Sequence, residues 1–201
     1  MKRIGVLALQ GAFAEHITTL RHLEVEPMPI RLPQELQGLD GLIIPGGEST
    51  TIGKLAIEYN LREELTRLID KNIPVFGTCA GMILLAKKVS GMNGQPLAAM
   101  DIDVRRNAFG RQVDSFEANV SVPTLGQPYF PAVFIRAPWI EKFGDSVHVL
   151  ARLDDGTPVA AQEGNLLATA FHPELTSDFR FHKYFLTLVE NHSHICTTEA
   201  L

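Results

Sequence analysis

Ile73-Pro74-Val75-Phe76-Gly77-Thr78-Cys79-Ala80-Gly81-Met82-Ile83-Leu84-Leu85-Ala86 is an apolar run, a thiol set among small residues, and a second apolar run. Read locally, it is a strand, a sharp turn that carries Cys79, and a helix N-terminus. Glycines beside such a turn permit a strained backbone that pushes the central side chain out of the sheet. The helix start adds unpaired N–H groups and a partial positive charge, which favour thiolate over thiol. The plainer use of a lone cysteine is as a small buried hydrophobe. Small residues on both sides and the switch from strand to helix favour the reactive use.

Outward from that stretch, strands and helices alternate toward the N-terminus. Strands are expected over residues 4–9, 28–31, 41–44 and 75–78, and helices over 14–23, 51–58, 61–71 and 80–89. That βαβ order calls for a parallel sheet covered on both faces. After Gly91-Met92-Asn93-Gly94 the pattern changes: Phe116, Ala118, Val120 and Val122 alternate with polar neighbours, as in a half-exposed antiparallel strand. Asp155-Gly156 and Gly164-Asn165 are hairpin turns joining strands over 147–153, 158–162 and 166–171. A last helix is expected over 178–191, with Phe181, Tyr184, Phe185 and Leu188 on one face. The fold class is therefore α/β: a single domain over residues 1–191, with a mixed, mainly parallel central sheet and helices on both faces, of flavodoxin-like type. Residues 192–201 read as a frayed, disordered tail.

A nucleophilic thiol needs a base, and the chain has seven histidines. His16 and His22 fall on the first helix, His148 begins a strand, and His192 and His194 fall in the polar tail. His172 follows the apolar run 166–171, so it stands at the C-terminal end of a strand, the edge where open α/β sheets build their sites. Glu174 follows two residues later, where a carboxylate can hold one ring nitrogen and leave the other facing the thiol. His172-Pro173-Glu174 alone would equally suit a helix cap. Paired with the cysteine turn, it points to a Cys79–His172–Glu174 triad.

The strand over 41–44 runs into Pro45-Gly46-Gly47-Glu48-Ser49-Thr50-Thr51. Two glycines at a strand end let the backbone approach a ligand and aim an N–H at it. With the N–H of Ala80, such a donor forms an oxyanion hole; the alternative is a turn followed by a helix cap. The loop is not a phosphate loop, because Gly-Lys-Ser/Thr is missing.

Together these motifs resemble the class I, triad-type glutamine amidotransferases, and within them the glutaminase subunits of pyridoxal 5′-phosphate synthases. The resemblance runs from Ile4 to about Val189. The cysteine turn and Phe171-His172-Pro173-Glu174 carry it at the level of the class. Four segments are more specific: Leu7-Ala8-Leu9-Gln10-Gly11 with Glu15-His16, Pro45 through Thr51, Arg106-Asn107-Ala108-Phe109-Gly110-Arg111-Gln112, and Phe134-Ile135-Arg136-Ala137-Pro138. The resemblance implies the class I amidotransferase fold and glutamine as substrate. It places Gly46, Gly47, Glu48, Ser49, Ala80, Arg106, Ile135 and Arg136 around that substrate. It implies hydrolysis through a γ-glutamyl thioester, with ammonia passed to a separate synthase in a large hetero-oligomeric complex. It also suggests that the edge near Gln10 meets the synthase, so that Gln10 gates the oxyanion hole; satisfying local backbone groups is the equal alternative. No cofactor and no metal is implied. Another cysteine-dependent γ-glutamyl hydrolase, or a non-catalytic regulatory subunit, would suit the same fold.

Composition bounds these readings. At 201 residues the chain is long enough to bury roughly 70% of its unfolded surface in one domain. A formal charge of −5 argues against a nucleic-acid surface, which needs a basic patch. Cys79 and Cys196 are the only cysteines, with no spacing for a disulfide framework or a zinc site. Met1-Lys2-Arg3 and the apolar run 4–9 imitate a leader, but six apolar residues fall short of the roughly 7–15 of such a segment, so a first strand is expected. No stretch approaches the length of a membrane span, and a cytoplasmic protein is expected.

Overall fold

The β-branched and aliphatic runs of the N-terminal half form one parallel set of strands. The computed structural model describes residues 2–91, 96–106 and 115–198, those beyond 193 by their backbone alone. Strands β1 (Arg3–Leu7), β2 (Glu26–Ile30), β3 (Gly41–Ile44) and β4 (Val75–Thr78) alternate with helices α1 (Phe13–His22), α2 (Ser49–Glu58), α3 (Leu61–Asp70) and α4 (Ala80–Leu85). β3 and β4 are buried along their whole length, as strands covered on both faces must be.

The remaining elements are β5 (Ala86–Ser90), β6 (Met100–Arg105), β7 (Ser115–Val120), β8 (Phe130–Ile135), β9 (Trp139–Phe143), β10 (His148–Arg152), β11 (Pro158–Glu163), β12 (Leu166–Thr169) and helix α5 (Arg180–Thr198). The central sheet has the order β10-β11-β12-β4-β3-β1-β2. β12, β4, β3, β1 and β2 pair parallel, while the two hairpins add β11 and β10 antiparallel at one edge. The mixed, mainly parallel sheet expected from sequence is present. β5-β6-β9 and β7-β8 form two small sheets beside it, and exposure alternates along β7 as the sequence pattern requires.

Two boundaries depart from expectation by more than two residues. The fourth helix ends at Leu85, and residues 86–90 turn into a strand paired parallel with β6. All six residues of α4 are buried, so Lys87 and Lys88 could not continue it without burying charge; as strand residues both are exposed. The last helix, expected to end at Asn191, continues to Thr198. No glycine or proline interrupts residues 180–198, and helix propagates cheaply once formed.

The core joins both halves. Phe76, Phe130, Phe134, Phe171, Phe181 and Phe185 are fully buried, and Phe181 of α5 meets the Phe130 ring edge-on at 4.8 Å and Phe171 at 5.3 Å. Phe76, two residues before the C-terminal end of β4, and Phe171, two residues past that of β12, tie the cluster to both strand ends. Those ends, with the ends of β3 and β1, lie side by side at one edge of the sheet.

Candidate active site

Cys79 sits between β4 and α4 with φ 49° and ψ −99°, a conformation that costs a non-glycine residue on the order of 1–3 kcal/mol. Neighbouring backbone holds it there. The Cys79 N–H donates to the Thr169 carbonyl at 2.7 Å, and the Ile83 N–H donates to the Cys79 carbonyl at 3.2 Å. Gly81 lets α4 press against β3: a Cβ there would lie 2.0 Å from the Ile44 carbonyl oxygen.

His172 comes off the end of β12. Its N–H donates to the Val133 carbonyl of β8 at 2.8 Å, and its Nδ1 lies 2.7 Å from Glu174 Oε1. Both residues are buried. Burial works to lower the His172 pKa, but hydrogen bonds and charge from Cys79 and Glu174 outweigh it and push the imidazole up to about 10. Burial likewise works to raise Glu174, yet the neighbouring imidazoles of His16 and His172 hold it below the usual carboxylate range. The glycine loop closes on the same ring: a Cβ on Gly46 would stand 2.2 Å from His172 Cε1.

A cavity of about 470 Å³ opens over the thiol, lined by Cys79, His172, Gln10, Gly47, Glu48, Ile135, Arg136 and Ser115. Seven of these eight come from the segments that sequence singled out. Ser115 begins β7 just after residues 107–114, which lie outside the described residues, and no motif marked it. The Ile135 carbonyl lies 3.9 Å from the Cys79 sulfur, and Arg136 turns away from β8 at φ 44°.

Other expected residues stand behind the wall. Ser49 is buried in the first turn of α2. The Glu48 carboxylate bends back to cap that helix, accepting from the Thr50 and Thr51 N–H groups at 3.0 and 2.6 Å. Burial would raise its pKa, but these bonds and the Thr51 hydroxyl hold it at about 2, so it stays ionised. Arg106 does not line the cavity; its guanidinium lies 3.4 Å from Glu48 Oε1 and 3.3 Å from Thr50 Oγ1. It braces the carboxylate rather than facing the open space. Gln10 accepts the Glu48 N–H at 2.8 Å, so this side chain from the end of β1 is tied to the glycine loop.

Behind the sheet edge is a buried layer; the Glu15-His16 segment carried the family resemblance without giving His16 a role. His16 of α1, His182 of α5 and Thr78 of β4 are all buried. His16 Nε2 lies 3.4 Å from Glu174 Oε2 and 3.2 Å from Thr78 Oγ1, and His16 Nδ1 lies 2.9 Å from His182 Nε2. Helical placement spoke against His16 because it ignored which way the helix faces.

A thiol on a strained strand-to-helix turn, beside a buried imidazole–carboxylate pair and under a glycine-rich strand end, has the form of an α/β thiol hydrolase. The sequence profile of the SNO glutamine amidotransferase family matches residues 6–191, and the chain belongs to that family. A pyridoxal 5′-phosphate synthase subunit PdxT from Herpetosiphon aurantiacus is 60% identical over 188 residues, 92% of this chain and 99% of that protein. The PdxT subunit of Moorella thermoacetica is 56% identical over 187 residues, covering 93% and 99%. A crystal structure of a glutamine amidotransferase superposes with a TM-score of 0.87 at 50% identity, covering 93% of this chain and 98% of that one. A chain in the structure of PurLQS from Thermotoga maritima, at TM-score 0.66 and 16% identity over 95% of this chain and 98% of that one, shares the fold. No helix among the described residues is long and apolar enough to cross a membrane.

Proposed function

We propose that this chain is the glutaminase subunit of a pyridoxal 5′-phosphate synthase, hydrolysing glutamine and handing the ammonia to a separate synthase subunit. One observation carries the chemistry: Cys79 faces a cavity beside His172, whose far nitrogen is 2.7 Å from Glu174. The relatives named as PdxT, similar along nearly the whole chain, supply the partner.

In the proposed reaction the Cys79 thiolate attacks the side-chain amide carbon, and the carbonyl electron pair moves onto oxygen. The N–H groups of Gly47 and Ala80 receive that oxyanion; the Ala80 N–H, in the first turn of α4, has no intrahelical acceptor. Protonated His172 gives its proton to the departing nitrogen, and ammonia leaves a γ-glutamyl thioester. Neutral His172 then takes a proton from water, hydroxide attacks the thioester, and glutamate departs as the thiolate reforms. Glu174 keeps Nδ1 protonated throughout. Arg136 and the ionised Glu48 would hold the α-carboxylate and α-ammonium of glutamine, with Arg106 bracing Glu48, Ile135 lining the cavity and Ser49 buried in the turn behind it.

Free ammonia is protonated in water and lost as a nucleophile, so delivery inside a hetero-oligomeric complex in the cytoplasm suits the chemistry. Gln10, tied to the Glu48 N–H at the loop edge, is placed to hold that loop out of its catalytic position until the synthase docks. A glutamine analogue with a diazoketone in place of the amide tests the site directly. It should alkylate Cys79 alone, seen as a mass increase on the peptide that carries it, and excess glutamine should protect. Labelling that glutamine leaves unchanged would count against a glutamine site.

A further inference from the structure

Glutamine hydrolysis as written uses one face of Glu174. Its other oxygen, Oε2, is buried with no hydrogen-bond partner among the described residues, and His16 Nε2 stands 3.4 Å from it. The charged and titratable groups around it are His172 from the end of β12 and His16 from α1; His16 in turn faces His172, His182 from α5 and Glu15 of its own helix.

The proton positions in this layer follow by elimination. A neutral imidazole has one donor and one acceptor. If the His16 proton were on Nδ1, it would point at His182 Nε2, 2.9 Å away, and His182 would carry its own proton on Nδ1. That atom is buried with no hydrogen-bond partner among the described residues, so a donor would be orphaned there at a cost of about 1–3 kcal/mol. The His16 Nε2 lone pair would also face a carboxylate. The reverse arrangement leaves His182 Nδ1 unpaired as an acceptor instead of a donor, but it turns an N–H instead of a lone pair toward the carboxylate, and that decides between the two. His182 Nε2–H donates to His16 Nδ1, and His16 Nε2–H lies between Glu174 Oε2 and Thr78 Oγ1. Burial lowers the pKa of both rings and keeps them neutral. Thr78 Oγ1 also accepts the Gly46 N–H at 3.0 Å, so the same layer reaches the glycine loop.

We propose that His16 is a positioning residue for glutamine hydrolysis: fixed as its Nε2–H tautomer by His182, it holds the second oxygen of Glu174 and so sets the orientation of His172. Two plain packing histidines would need neither that tautomer nor contact with the carboxylate. The inference rests on the triad reading above.

The test compares H16L, H16Q and H182F with the wild type and with C79A, each as the full chain assayed for glutamate release with the synthase subunit present. H16L should lower kcat about tenfold or more, the scale of losing a close polar contact to a buried charged group, with KM within about twofold of wild type because no substrate contact is lost. The acid limb of its kcat/KM profile should move to higher pH, since Glu174 loses a group that favours its charged form. H16Q, whose amide N–H can still reach Oε2, should recover most of kcat and return the acid limb. Wild-type kcat and acid limb in H16L, or H16Q falling as far as H16L, would overturn the proposal. Should H16L fail to fold, H182F decides: the His16 ring nitrogens, read by NMR, should change to the Nδ1–H form as kcat falls. A changed tautomer with kcat intact would overturn it. C79A separates the levels: turnover surviving there brings down the triad reading, whereas its loss beside an unaffected H16L brings down only the role of His16.

Discussion

At Cys79 the backbone has a conformation suited to glycine, φ 49°, yet the residue carries a side chain. Strain of this kind persists only where the surroundings enforce it, here through the Thr169 carbonyl and the close packing of Gly81 on Ile44. Cys79→Gly should therefore be more stable than Cys79→Ala, by about 0.5–1 kcal/mol in chemical denaturation, although neither can hydrolyse glutamine. Equal stabilities would mean that the turn is relaxed. The His172–Glu174 pair predicts a pH profile. The His172 pKa is raised from 6.5 to about 10, so its contribution is complete below 6.5 and is lost as pH rises through about 10. Glu174 is lowered from 4.5, so its contribution is present above 4.5 and is lost on acidification. Glu174→Gln should flatten both slopes in Tm measured against pH, and unchanged slopes would show that other groups set them. Cys79, His172 and Glu174 were legible because each belongs to a local pattern of strand end, turn and spacing. His16 and His182 were not: they stand 166 residues apart in sequence, and only the packing of α1 and α5 brings them together behind Glu174.

Among the elements, the parallel strands β1, β3, β4 and β12 matter most, because their shared direction delivers Gln10, Gly46, Cys79 and His172 to one edge. The alternation of strands and helices made the N-terminal part of this sheet readable. That β12 returns to pair with β4 was not readable, since nothing local records a partner some 90 residues away. The break between α4 and β5 also escaped, because residues 80–89 suit a helix in isolation and strand pairing with β6 overrides that preference. The glycine loop gives a sharp prediction. With a Cβ 2.2 Å from His172 Cε1, Gly46→Ala must displace either the loop or the imidazole. It should lower kcat at least about tenfold while Tm falls by only a few degrees. Wild-type kcat would place the loop farther from the ring. At the other end of the chain, α5 continues past residue 191, where the family match stops. We propose that residues 1–191 carry the whole catalytic domain, so truncation after Asn191, which also removes Cys196, should leave glutamate release within about threefold of the full chain. A larger loss would assign the last helical turns to the site or to the partner contact.

For the whole molecule the question is what becomes of the ammonia. Glutamine hydrolysis alone would waste it, and in the function proposed above its user is a separate synthase subunit. The gating proposed for Gln10 belongs to the same arrangement. One oxyanion donor is worth about 10²–10³ in kcat, so a loop restrained by Gln10 before docking and released by the synthase would raise glutamate release by that factor on complex formation. Equal kcat in the free and bound states would remove the gating role of Gln10 and leave the hydrolase intact. The most direct measurement is pyridoxal 5′-phosphate formation by the synthase with the Cys79→Ala subunit, fed either glutamine or an ammonium salt. Glutamine-driven formation should fall by a factor on the order of 10⁴–10⁶, while ammonium-driven formation matches that of the wild-type complex. Product formed from glutamine at the wild-type rate would contradict the account.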